Sequence, residues 1–221
     1  MTPLSTDIDR LSGLPEHGER APSTAGFELP ALPFERHSLE PAISRAQIDL
    51  LYSYYHRSQI DQVNRAATSN AAGQSLATLA TGTAFSAATA AGEAWNLTAF
   101  WHGLTARPAS APASMTRAVN RDFGSWGDLA SRWRQTIASS DAPWSWLVMT
   151  PRGELQTQST RQGERPADAI PLLAIALMPD AYRLDFSSDR SAYFDALWPL
   201  LNWEYAALCL NVSSPDESAV D

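Results

Sequence analysis

Hydrophobic and polar positions follow two different rhythms along this chain of 221 residues. Residues 1–26 are polar and rich in Pro, Gly and Ser, and read as a disordered extension. "FELPALPFERHSLEPAIS" follows, with prolines that impose extended backbone and short turns. Ser44-x-x-Gln47 reads as a capping box opening a helix. Ile48, Leu51, Tyr52 and Tyr55 come next at helical spacing, so one apolar stripe faces a partner. The same spacing turns Tyr52 and Tyr55 of "YSYYHR" inward and leaves Tyr54 and His56 facing out or sideways. A second helical region spans about Gln74 to Ala106, where an Ala-rich stretch permits close helix approach and "WNLTAFWHGL" supplies bulky anchors. Two long helices with a polar connection predict an antiparallel helical hairpin over residues 27–106.

"ARPASAPAS", Ala106 to Ser114, reads as a linker, which places a boundary at residues 107–114. "TRAVNRDFGSW" then predicts a short helix ending at Gly124, and Ser125 can cap the next helix, whose Leu129, Trp133 and Ile137 share one side. At this point the period changes. "WSWLVMT", the turn "PRG" and "ELQTQST" predict a β-hairpin, and "IPLLAIALM" a buried third strand, with a turn after it. "SAYFDALWPLLNWEYAALCL" is helical, with Pro199 kinking or breaking it. The class is α+β: residues 115–212 combine helices with a small three-stranded antiparallel sheet, and residues 213–221 read as a disordered tail.

Composition narrows the function classes. The net charge is −8, which removes the electrostatic case for nucleic acid or an anionic membrane. No run approaches the roughly 18 consecutive apolar residues of a membrane span. The N-terminal stretch lacks a secretory apolar core and carries Asp7, Asp9, Glu16 and Glu19, so a cytoplasmic location is expected. The single cysteine, Cys209, lies in the apolar run "ALCLNV" and reads as a small buried hydrophobe. His17, His37, His56 and His102 form no i, i+4 pair and no cluster with the cysteine, which argues against a zinc site. No nucleophile elbow and no phosphate-binding loop are present in the sequence.

Six stretches in order carry a resemblance. They are "LPALPFERHSLEP", "AWNLTAFW", "RDFGSW", "WSWLV", "IPLLAIALMPDAY" and "ALWPLLNWEYA". Over about Leu29 to Leu210 the chain resembles the iron/manganese superoxide dismutase family. That resemblance implies a helical hairpin followed by an α+β lobe. It also implies disproportionation of superoxide at one redox-active metal held by three histidines and an aspartate, a donor set that suits iron or manganese.

Carried across by position, those ligands fall at Leu51, Leu97, Ala176 and Asp180. Leucine and alanine side chains have no donor atom, and one carboxylate cannot hold a transition metal against water. His56 and His102 each follow a ligand position by five residues, which on an α-helix is a rotation of about 140° away from it. The surrounding positions differ too. The resemblance puts the family's active-site tyrosine at Gln59, a supporting histidine at Tyr55 and a supporting glutamine at Glu93. The glutamate and histidine that bridge subunits fall at Pro179 and Asp180, and an interface tyrosine at Arg183. Tyr55, Gln59, Glu93, Asn96 and Asp180 are therefore the candidate residues of a vestigial pocket, bonded to one another or to solvent. Tyr55, Pro179 and Arg183 are the candidate interface residues.

Vacant buried ligands would be unsatisfied polar groups at about 1–3 kcal/mol each, a cost that leucine and alanine avoid. The expectation is a dismutase-fold protein with no cofactor and no catalytic residue, acting as a structural or protein-interaction subunit. Its partner would be another protein, in a homo- or heterodimer, with no nucleic acid or membrane involved. Degenerate relatives of this family serve as structural components of mitochondrial ribosomes. The alternatives are a superoxide dismutase holding iron or manganese through noncanonical ligands, and an unrelated enzyme activity in the old pocket.

Overall fold

Ser44 starts the first helix as its position predicts, its Oγ accepting the Gln47 N–H at 3.1 Å. The computed structural model describes residues 26–67, 74–82 and 85–212. The expected extension, apart from Gly26, and the expected tail at 213–221 lie outside the described residues. Helix α1 (Arg45–Asp49) runs directly into a π-helical turn, Leu50–His56, and on into α2 (Arg57–Ala66). The second helical region is divided, unlike the single element its composition predicts: α3 (Leu76–Thr81) stops at Gly82, which is extended, and α4 covers Ala88–His102. Helices α2 and α3 both pack on α4, enclosing a small cluster of Val63, Leu79, Ala90 and Ala91. The extended N-terminal segment is pinned to α2 by Asn64, whose Oδ1 accepts the Phe27 N–H at 2.7 Å while its Nδ2 donates to the Phe27 carbonyl at 2.9 Å.

Helix α5 is Ala113–Phe123, so the last two residues of the expected linker, Ala113 and Ser114, are helical. Gly124 ends it at φ 89°, a left-handed conformation that glycine enters without a Cβ penalty. Ser125 caps α6 (Trp126–Ala138), accepting the Asp128 N–H. Leu129, Trp133 and Ile137 are buried on one face of it, as spaced. Strands β1 (Trp144–Met149), β2 (Leu155–Thr160) and β3 (Ile170–Ala176) form an antiparallel sheet in the order β2-β1-β3. The central β1 is buried at every position, and Pro171 sits on the edge strand β3, where a missing N–H is tolerated.

The stretch after β3 is a helix rather than a turn: α7, Pro179–Phe186, with proline in its first turn. Helix α8 (Arg190–Leu197) is followed by a 3₁₀ turn at Trp198–Leu200 that contains Pro199, and α9 (Trp203–Val212) restarts beyond it. The proline therefore breaks the helix. The break is used: Thr105 donates its N–H to the Leu200 carbonyl and Asn202 to the Gly103 carbonyl, both at 2.8 Å, clamping the C-terminal end of α4.

One large apolar cluster joins the hairpin to the sheet. It takes Leu51, Tyr52, Leu97 and Trp101 from the first half and Trp133, Trp146, Ile175 and Phe194 from the second. Gln47 adds a polar link between the halves. The sequence pattern predicts that its side chain turns back on the Ser44 N–H, but that N–H goes to Asp185 Oδ2 at 2.7 Å. The buried Gln47 amide instead reaches α7, where Nε2 donates to the Asp180 carbonyl at 2.6 Å and Oε1 accepts the Leu184 N–H at 2.9 Å. These are the two ends of an i, i+4 pair, so the amide grips one turn of α7.

Replacing Gln47 with Leu keeps the bulk and removes both bonds at a site that is 1% exposed. The expected loss is about 1–3 kcal/mol in urea unfolding with an unchanged slope, against less than about 1 kcal/mol for Asp185→Ala, whose bond is exposed.

Candidate functional site

The four positions that matter most are carried by elements that meet. Leu51 is in the π-helical turn, Leu97 in α4, Ala176 at the end of β3 and Asp180 in the first turn of α7. Helix α4 packs on β3 and on the π-helical turn, and α7 packs on that turn too. Leu51, Leu97 and Ala176 are buried members of the single large apolar cluster. Asp180 is partly exposed, and its carbonyl is held by Gln47. An iron or manganese ion does not fit this set: three of the four side chains are hydrocarbon. Among the described residues no group of three or more His, Cys, Asp or Glu could hold a metal ion. Chemically the position behaves as core, where each fully buried leucine contributes about 1.5–3 kcal/mol.

Beside this apolar centre lies one buried carboxylate. Glu93, on α4, has no solvent exposure and accepts three hydrogen bonds, all from neutral groups. Tyr55 Oη donates to Oε1 at 2.8 Å. Trp144 Nε1 and the Gly163 N–H donate to Oε2 at 2.9 and 2.8 Å. Burial raises the Glu93 pKa above the ordinary carboxylate value, and the three donors partly oppose that shift. The Tyr55 phenol is pushed well above its usual value, first by burial, then by the charge and hydrogen bond of Glu93, with Asp180 adding to it. Gln162, from the loop after β2, donates its Nε2 to Tyr55 Oη at 3.2 Å.

Two glycines make this geometry possible. A Cβ on Gly92 would lie 2.0 Å from the Gly163 carbonyl oxygen, and one on Gly163, at φ 71°, would lie 2.5 Å from the Thr89 carbonyl oxygen. The loop therefore rests directly on the backbone of α4 and delivers its N–H to Glu93.

Of the expected pocket residues, Tyr55 and Glu93 are bonded to each other, and Asp180 is near enough to act on Tyr55 through its charge. Gln59 and Asn96 are buried but hydrogen-bond elsewhere. Gln59 donates to Ser58 Oγ, and Asn96 donates to the Glu164 carbonyl while its Oδ1 has no partner among the described residues. Trp144, Gly163 and Gln162 were not foreseen as partners of this group. The signal for them was weak: a glycine in the polar run "TRQGERP" and a tryptophan that also reads as strand core. Of the expected interface residues, Pro179 and Arg183 are exposed on α7, and Tyr55 is half-buried.

His56 departs most from the pattern. It is fully buried, not facing out or sideways. The cause is the π-helical turn, shown by the Arg57 N–H reaching back to the Tyr52 carbonyl. Bonding from i to i−5 stacks residue 56 over residue 51, which an α-helix would hold about 140° apart. Trp101 Nε1 donates to His56 Nδ1 at 3.2 Å, so the ring hydrogen sits on Nε2, a buried atom with no partner of good geometry among the described residues. Burial pushes the imidazole pKa down to about 3, against the opposing pull of the Ala94 carbonyl. His56 is thus a neutral core group. His37 is exposed, as a loop position would be, and His17 lies outside the described residues. Cys209 is buried, with its thiol pushed up to about 11 by burial, which suits a packing role.

Comparison with known proteins adds two family matches. The alpha-hairpin domain of iron/manganese superoxide dismutases matches residues 26–105, and the C-terminal domain of the same enzymes matches residues 111–208. The superoxide dismutase [Fe] of Escherichia coli K12 is 31% identical over 186 residues, covering 82% of this chain and 96% of that protein. The corresponding protein of Salmonella typhimurium is 30% identical over the same length, and that of Legionella pneumophila 26% over 199 residues.

The buried imidazole has a measurable consequence. Below about pH 6.5 the unfolded chain binds a proton that folded His56 refuses until about pH 3. Its contribution to stability is therefore present above that window and lost as pH falls through it, at up to about 1.4 kcal/mol per pH unit. Glu93, with its raised pKa, acts with the opposite sign. Between about pH 6.5 and about pH 4.5 the wild-type protein is expected to lose about 2–3 kcal/mol more than His56→Gln in urea unfolding, and equal losses would refute the assignment.

Proposed function

Because the chain belongs to the iron/manganese superoxide dismutase family, with Leu51, Leu97 and Ala176 standing where that family keeps metal ligands, we propose that it is a member without a functional metal site. Its role is that of a structural or protein-interaction subunit rather than a dismutase. The observation that carries this reading is the burial of those three side chains in the apolar cluster that joins the hairpin to the sheet. A vacated metal site would leave a void or stranded polar atoms; a leucine pair and an alanine supply packing there instead. Of the polar groups that remain nearby, Tyr55 and Glu93 are bonded to each other.

The partner is a protein, either a second copy or a different chain. The surface that supports this is the outer side of α7 and the π-helical turn, elements packed on each other, where Pro179 and Arg183 are exposed. Tyr54 and Leu184 on the same two elements are 71% and 60% exposed and add apolar surface there. A cytoplasmic site of action is consistent with a sequence that holds a single cysteine, Cys209. Among the described residues no helix is long and apolar enough to cross a membrane.

The test is metal analysis and a superoxide disproportionation assay on one preparation of folded protein. The expected result is iron and manganese far below one ion per chain, with superoxide decay at the buffer rate. A full ion per chain with activity that disappears on chelation would overturn the proposal. A single Leu97→His substitution is expected to destabilise the protein by about 2–4 kcal/mol, because it puts an unpaired ring nitrogen into hydrocarbon, and to confer no activity.

A further inference from the structure

Tyr55 and Glu93 form a pair with a chemical capability that packing does not require. The phenol donates to a carboxylate at 2.8 Å, so the atom that would receive the phenolic proton is already in place. Tyr52, three residues earlier, donates instead to the Pro30 carbonyl, which cannot take a proton. Glu93 is a receptive acceptor for a physical reason. Its negative charge is buried among three neutral donors, so taking up a proton removes the cost of keeping that charge out of water. Asp180 adds negative potential at Tyr55, which favours loss of an electron from the ring. The ring is also reachable. Tyr55 is half-buried, and its hydroxyl is touched by Gln162 of an exposed loop, whereas Trp144, the other ring bonded to Glu93, is fully buried.

We propose that Tyr55 is a one-electron donor to diffusible oxygen-centred radicals, with Glu93 as the proton acceptor. One electron leaves the phenol for the oxidant. The phenolic O–H bond breaks and a new O–H bond forms at Glu93 Oε1. The products are a neutral phenoxyl radical, a neutral carboxylic acid and an oxidant reduced by one electron. Return of an electron from a reductant such as a thiol, with the proton moving back from Glu93, restores the starting pair. The step uses no metal, so it stands or falls apart from the state of the old metal position.

The experiment mixes chelator-treated full-length protein with hexachloroiridate(IV), a one-electron outer-sphere oxidant reduced to the iridium(III) complex. The radical is followed by stopped-flow absorbance and rapid-freeze electron paramagnetic resonance. A phenoxyl signal is expected in the wild type, with a slower rate in deuterated water. The signal should vanish in Tyr55→Phe and persist in Tyr52→Phe and Tyr54→Phe. Glu93→Gln keeps the phenol and removes the acceptor, so oxidation should slow by about 100-fold and the solvent isotope effect should disappear, a change that a purely structural role would not produce. Should Glu93→Gln fail to fold, the contrast between Tyr55→Phe and Tyr54→Phe decides the site, and the isotope effect in the wild type decides the proton. A signal surviving Tyr55→Phe, a tryptophanyl signal in the wild type, or an oxidation rate indifferent to both deuterium and Glu93→Gln would overturn the proposal.

Discussion

Glu93 carries a carboxylate into the interior, and four separate pieces of chain are arranged around it. The π-helical turn supplies Tyr55, β1 supplies Trp144, the loop after β2 supplies Gly163, and α4 supplies Glu93 itself. A buried charge without donors costs several kcal/mol, so these elements cannot drift apart independently. Gly92 and Gly163 set the distance, since any Cβ at either position would collide with backbone. Once the loop is seated there, its other contacts follow: Asn96 holds the Glu164 carbonyl, and Arg165 lies over the Trp95 ring at 5.0 Å.

The apolar centre and the polar cluster solve one problem by different means. Helices and sheet are tied by hydrocarbon at Leu51, Leu97 and Ala176, by the Glu93 cluster, and by the Gln47 amide gripping α7. Hydrophobic contact is non-directional and tolerates imperfect geometry, while the two polar links are directional and fix register. Together they hold helices and sheet in the fold of the family.

Much of this was legible in the order of residues. Helix starts at Ser44 and Ser125, the stop at Gly124, the hairpin β1–β2 and the break at Pro199 follow from local chemistry: capping oxygens, positive φ, a turn between two short runs, and a missing N–H. Asp180 and Tyr55 were legible as members of one neighbourhood through the resemblance, and the Asp180 charge adds to the upward push on the Tyr55 phenol. His56 was not legible, because a π-helical turn changes which residues share a face and leaves no mark in hydrophobic spacing. Gln47 was misread for a related reason: a capping box specifies the near partner of a side chain, and a buried amide takes the partners that tertiary packing offers. Helix α7 stands where the sequence pattern reads a turn, and the proline in its first turn is compatible with helix.

The sequence by itself determined the α+β class, the family, and the absence of donor atoms at Leu51, Leu97 and Ala176, since side-chain identity and short-range spacing suffice for each. Tertiary structure alone decided that His56 is a neutral core group and that Gln47 joins the two halves. It also decided that Glu93 is the carboxylate on which Tyr55, Trp144 and Gly163 converge. Those outcomes depend on burial and on contacts between residues 38 to 137 positions apart. A desolvated charge must find partners wherever the fold brings them, and local sequence carries no record of that search.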